Sequence, residues 1–226
     1  MVPFRLPPGD LRIVCLGAHP DDIEVGCGGT LLALAGSRRV EATAVVATGS
    51  GARHSEAVKA TPRFLPDGDV DVEVLELLDG RLPAQWDAVK QRLEDIARPI
   101  TTAAASEGAN TSPDIVFAPR RDDAHQDHRL IGELASTVWR DSLIMHYEIP
   151  KWDGDLGRVT HYVPLDMAVA HHKVELLHEC FPSRAHHHWW DDETFLALMR
   201  LRGVECRQRY AEGFLVGKAV LLPGTV

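Results

Sequence analysis

Short apolar runs separated by helical or polar segments constrain this chain more than any other feature of it. Residues 11–16 read as a buried strand, and residues 40–47, 75–78, 114–118 and 143–147 repeat the pattern. Between them, residues 30–35 read as a helix stopped at Gly36. Trp86, Val89, Leu93 and Ile96 recur at helical spacing on one face, and residues 127–139 read as a further helix. Residues 101–113, rich in Ala, Ser, Thr and Asn, read as a surface loop or a frayed helix end. The last third is less regular, with helices predicted at 167–180 and 194–201 and a late strand at 214–222. Strands alternating with helices at this spacing predict an α/β fold, a mostly parallel sheet with helices on both faces. No internal repeat and no long linker divides the chain, so one domain over residues 1–226 is expected.

Composition removes several function classes. Lys and Arg total 24 and Asp and Glu 33, a formal charge of −9. Such a balance argues against a nucleic-acid partner, because non-specific binding rests on basic side chains neutralising phosphates. No apolar run approaches the roughly 18 residues of a membrane span, and residues 1–10 lack a signal-type apolar segment. Cys15, Cys27, Cys180 and Cys206 are scattered without a C-x-x-C pair, which fits reduced thiols in a cytoplasmic protein. The twelve histidines are the unusual count.

Two polar clusters contain the histidines that matter. His19, Pro20, Asp21 and Asp22 follow the first strand. Asp122, Asp123, His125, Asp127 and His128 follow the fourth. In an open α/β sheet, ligands bind outside the carboxyl ends of strands, so both clusters fall on the same edge. His19, Asp22 and His128 supply two nitrogens and one carboxylate, a set suited to zinc and other first-row divalent metals. The remaining groups then have work to do. Asp21 is placed to take a proton from an activated water. His125 is placed to donate one to a departing amine, with Asp127 orienting it and keeping it protonated. This division suits amide hydrolysis. Gly26, Gly28 and Gly29 do not make a dinucleotide fingerprint, because the turn that would need glycine holds His19 to Asp22; close packing explains them better.

These residues carry a family resemblance. Ala18 to Asp22 followed by Gly28, Gly29 and Thr30, together with His125, Asp127 and His128, resemble the two signature motifs of the PIG-L/LmbE-type N-acetylglucosaminyl deacetylases, in the same order. Weaker similarity continues through Tyr147 and Glu148 to Tyr210–Phe214. The resemblance implies a Rossmann-like, LmbE-like α/β fold and a zinc-dependent hydrolase, with Fe2+ or another divalent ion as alternative metals. It also implies His19, Asp22 and His128 as metal ligands, Asp21 as base, His125 as the oxyanion or leaving-group histidine, and Asp127 as its partner. The implied substrate is a small N-acetylated amino-sugar compound.

Two departures bear on substrate. Family members often carry an arginine in an Arg-Gly-Glu segment after the second strand. Here Arg53, five residues beyond Thr48, is the nearest equivalent, and Glu148 at the end of the fifth strand is a second candidate contact. The family's Ser-Gln pair is replaced by Ser183 and Arg184. Trp152 could stack on a sugar or belong to the core. The run His186 to His188 reads as a surface loop flanking the pocket. Rival readings are an amidase for another amide, such as a thiol-sugar conjugate or antibiotic intermediate, a non-haem iron oxygenase, and a non-catalytic nucleotide-binding module. The sequence leaves a homo-oligomer open.

Overall fold

The computed structural model describes residues 2–6, 8–106 and 112–220. Strand and helix alternate through β1 (Leu11–Gly17), α1 (Asp22–Ala35), β2 (Val40–Thr48), α2 (Gly51–Phe64), β3 (Asp69–Leu77), α3 (Trp86–Ser106), β4 (Ile115–Pro119), α4 (Gln126–Val138) and β5 (Leu143–Tyr147). The chain then forms β6 (His161–Leu165), α5 (Met167–Cys180), α6 (Asp192–Cys206) and β7 (Tyr210–Leu215), with short 3-10 turns at Leu82–Gln85 and Pro182–Arg184.

The strands form one sheet in the order β3-β2-β1-β4-β5-β7-β6. The first five are parallel, and β7 runs antiparallel between β5 and β6. β1 is apolar on both faces because helices cover both. One layer packs Ile23, Phe64, Leu177 and Phe195 from α1, α2, α5 and α6 against the sheet. The opposite layer packs Val89, Leu93, Ile131 and Leu134 from α3 and α4. From β1 the chain builds outward through β2 and β3, then returns to β1's other side for β4 and β5. The carboxyl ends of β1 and β4 therefore flank the switch point where such sheets bind ligands.

Several elements differ from the sequence reading, each for a local reason. α1 starts at Asp22 rather than residue 30, because its glycines are interior helix positions chosen for contact. A Cβ at Gly26 would stand 2.1 Å from the Tyr147 ring, and one at Gly28 would stand 2.7 Å from Phe64. Tyr147 in turn donates its hydroxyl to the Leu16 carbonyl at 2.6 Å, pinning α1, β1 and β5 together. α2 escapes the hydrophobic pattern because its buried face is Ala57, Ala60, Thr61 and Phe64. β6 contains Pro164 and is an edge strand, where proline is tolerated. β7 begins at Tyr210, earlier than expected, and carries a buried charge. Glu212 accepts the amides of Gly29 and Thr30 at 2.8 and 2.7 Å, the Thr30 hydroxyl, and the Lys173 ammonium at 2.7 Å. That network ties α1, α5 and β7 and explains how a charge sits inside a strand. Residues 101–106 continue α3 as helix; 107–111 and the expected strand end at 221–222 lie outside the described residues.

Candidate active site

The turn after β1 presents two consecutive carboxylates, each held by different partners. Asp22 opens α1, and its Oδ2 accepts the amides of Ala18 and His19, both at 2.8 Å. The preceding residue, Asp21, is held at φ 106°, a conformation costly for any side chain but glycine. The second cluster is capped by histidine rather than aspartate: His125 precedes α4, and its Nδ1 accepts the Asp127 amide at 3.3 Å.

The structure brings His19, Asp22 and His128 together. His19 Nδ1 lies 3.1 Å from His128 Nε2, and Asp22 Oδ2 lies 3.5 Å from the first and 3.4 Å from the second. A tetrahedral ion with ligand bonds near 2.0–2.1 Å separates its donors by about 3.3–3.4 Å. All three residues are buried. Two imidazole nitrogens and a carboxylate oxygen converging at that spacing fit a divalent cation. The His125 ring packs edge-on against His19, with ring centres 4.8 Å apart, and lies 4.7 Å from His128.

Each of these two imidazoles is backed by carboxylates on its far side. Asp123 Oδ2 is 3.1 Å from His128 Nδ1 and is itself held by the His125 amide and Lys151. His19 Nε2 meets Asp79 Oδ1 at 3.0 Å and Asp127 Oδ2 at 3.4 Å. With carboxylates beside the outer nitrogens, His19 Nδ1 and His128 Nε2 are left facing each other. Asp79 and Asp123 carry no role in the sequence reading. Asp123 lies inside the second His/Asp cluster, so its position is the available signal; Asp79 lies in a loop after β3 with no motif.

Three expectations are revised by the geometry. The Asp127 carboxylate does not partner His125. It accepts the amides of Gly80 and Leu82 at 2.8 and 3.1 Å and faces His19, while only its backbone N–H reaches His125. His125 is not held protonated either: burial and the neighbouring His128 and His19 push its pKa down, outweighing Asp127. With Nδ1 accepting an amide, the hydrogen sits on Nε2 of a neutral ring. Glu148, expected as a substrate contact, has both carboxylate oxygens taken up inside the protein. It is 4% exposed and locked by the Arg202 fork at 2.7 and 2.5 Å, because a buried carboxylate there needs a cation.

Asp21 lies in a clamp of arginines. Arg184 engages it through both Nε (2.7 Å) and one terminal nitrogen (3.0 Å), and Arg53 adds a bond at 3.0 Å. Arg53 also donates to the Pro20 carbonyl. The residue that departs from the family pattern, Arg184, is thus at the centre of the site. His187 is half-buried beside it, its amide bonded to the Arg184 carbonyl at 2.9 Å.

The charge balance around His19 and His128 gives a pH prediction for a site that holds a cation. Burial opposes charge on both rings, but Asp22 and then the backing carboxylates outweigh it. They push His19 up to about 12 and His128 up to about 9, from 6.5. In the metal-free chain the protonated His128 ring contributes stability that is complete below pH 6.5 and is lost as pH rises through about 9, while the contribution of protonated His19 persists to about 12. A cation must displace those protons, so its affinity is expected to rise by up to about tenfold per pH unit per proton between pH 7 and 9. Calorimetry of zinc binding in buffers of different ionisation enthalpy reads the release; zero protons released would exclude His19 and His128 as ligands.

A doubly wound α/β sheet with imidazoles and carboxylates gathered at its switch point defines a class of ligand-binding protein, and comparison with known proteins gives the family. The sequence model of the GlcNAc-PI de-N-acetylase (PIG-L) family matches residues 14–139, and the chain belongs to that deacetylase family. Over 150 residues, 61% of this chain and 74% of the other, it is 31% identical to the uncharacterized deacetylase YaiS of Escherichia coli K12. Solved structures share the fold. The conserved protein TT1542 from Thermus thermophilus superposes with a TM-score of 0.69 at 21% identity, covering 96% of this chain and 99% of that one. The N,N'-diacetylchitobiose deacetylase of Pyrococcus horikoshii gives 0.68 at 20% identity, with 91% and 83% covered. A zinc-inhibited form of teicoplanin deacetylase Orf2 gives 0.61 at 13% identity, with 91% and 97% covered. Among the described residues, no helix is long and apolar enough to cross a membrane.

Proposed function

We propose that this chain, acting as one domain, is a divalent-metal-dependent N-deacetylase that releases acetate from a small N-acetylated amino-sugar compound. The observation that supports this most is the convergence of His19 Nδ1, His128 Nε2 and the Asp22 carboxylate within 3.5 Å. When bound there, an ion such as zinc supplies an acidified water and a Lewis acid for the acetyl carbonyl.

The chain's own residues do the rest. A carboxylate offers about four lone-pair sites. Three on Asp21 are used, two on Oδ1 by Arg53 and Arg184 and one on Oδ2 by Arg184. The remaining Oδ2 lone pair accepts the proton of the attacking water. His125 presents Nε2–H to the oxygen that gains charge as the carbonyl becomes tetrahedral. Asp21 then hands the proton it took from the water to the nitrogen as the C–N bond breaks, and His125 keeps its hydrogen throughout. Water contributes hydroxide to the acetyl carbon and a proton to the amine, so acetate and a free amino sugar leave. Asp123, Asp79 and Asp127 keep the two ligand imidazoles in place throughout.

The test is acetate release from a panel of N-acetylglucosaminides and related natural-product intermediates. Protein stripped with a chelator should be inactive, and protein reloaded with zinc should release stoichiometric acetate and amine from at least one member. Zinc-loaded protein that cleaves no acetamide across the panel would overturn the assignment.

A further inference from the structure

Two loops of the active edge meet through their aromatic rings. Trp152, just after β5, stacks on His188 with ring centres 5.6 Å apart and planes 28° apart, and its indole N–H bonds to His188 Nε2 at 3.1 Å. His187 and Trp189 approach the same indole at 5.6 and 6.3 Å. Despite these neighbours Trp152 is 63% exposed, which is unusual for the largest apolar side chain and marks a surface kept for contact.

Both ends of this ring cluster are anchored to the catalytic machinery. Lys151, adjacent to Trp152, bonds to Asp123, the carboxylate behind His128. His187 bonds through its amide to Arg184, which holds Asp21. The cluster is therefore linked to the His128 side of the site at one end and to the Asp21 side at the other. An exposed indole whose N–H is held by a neighbouring imidazole offers a fixed, flat apolar face of one ring's size. That suits a pyranose, whose axial C–H face is apolar and whose edge carries hydroxyls.

Resting on the deacetylase reading, we propose that Trp152 and His188 form a subsite for a second sugar ring, so that the preferred substrate carries another pyranose beyond the N-acetylated one. Trp152 sets specificity by stacking on that ring and takes no part in the bond-breaking step.

The experiment uses zinc-loaded protein, N-acetylglucosamine as the one-ring probe and N,N'-diacetylchitobiose as the two-ring probe. Trp152→Ala is expected to lower kcat/KM for the two-ring probe by about tenfold or more, mainly through KM, and to change the one-ring probe less than about twofold. Trp152→Phe should restore most of the loss, and metal content should be unchanged in both variants. Equal losses on both probes would mark a structural role and overturn the proposal. A binding arm separates this from the deacetylase reading. Calorimetric titration with the fully deacetylated disaccharide should show at least about tenfold weaker binding to Trp152→Ala than to the parent. If the parent hydrolyses neither probe, the deacetylase reading fails on them while this titration still decides the subsite. Equal affinity for parent and variant, or no binding to the parent, overturns it. So does a Trp152 effect confined to planar aromatic acetamides.

Discussion

His128→Ala is expected to yield a folded protein that retains no stoichiometric metal and releases no measurable acetate. His128 supplies one of the two nitrogens of the cluster, and its removal leaves His19 and Asp22, too few donors to hold a catalytic ion against solvent. The fold should survive, because Asp123, which the imidazole would leave behind, keeps Lys151 and the His125 amide as partners. Asp123→Asn is the informative companion. It keeps the ligand but loses the carboxylate behind it, and a loss of metal affinity of about 10–100-fold is expected. Metal analysis after gel filtration, beside the acetate assay, reads both. Parent metal content in His128→Ala would mean the ion is held elsewhere.

Asp21→Asn is expected to do the opposite: full metal content, and a kcat reduced by about 10²–10⁴-fold, the scale of a missing general base. Asparagine is the appropriate replacement because it tolerates positive φ better than most residues, and position 21 sits at 106°. It also keeps an oxygen for the arginines. Arg184→Gln serves as control, removing the two-point clamp while leaving the carboxylate, and should cost much less rate. Hydrolysis at the parent rate by Asp21→Asn would remove Asp21 from the mechanism.

The sheet and the approximate position of the site were readable because both rest on local signals. β1 is a short apolar run entering a polar turn, and β4 ends at the second His/Asp cluster. The topology then brings the two together without further information. What the sequence hid was long-range pairing. Asp127 reads as a neighbour of His125, yet its carboxylate is drawn to amides 45 and 47 residues away. Glu148 reads as a residue at an open strand end, but Arg202, 54 residues later, closes over it. Asp79 carries no motif and reaches His19 only because Gly80 and Leu82 are tied to Asp127. The glycines of α1 suppressed its helical signal, since the faces that would identify it carry no side chain there.

The His19–His128 contact joins positions 109 residues apart in the chain. Neither cluster can assemble a centre alone, and the loop between them must close before β4 can dock on β1. Closure over that length favours late formation in folding. A growing polypeptide that has emerged only past Asp22 lacks half of the cluster, and the His19–His128 contact arrives only once the sheet has joined across its middle. Zinc uptake during refolding is therefore expected no earlier than the docking of β4 on β1, which time-resolved zinc release from a chromophoric chelate reads.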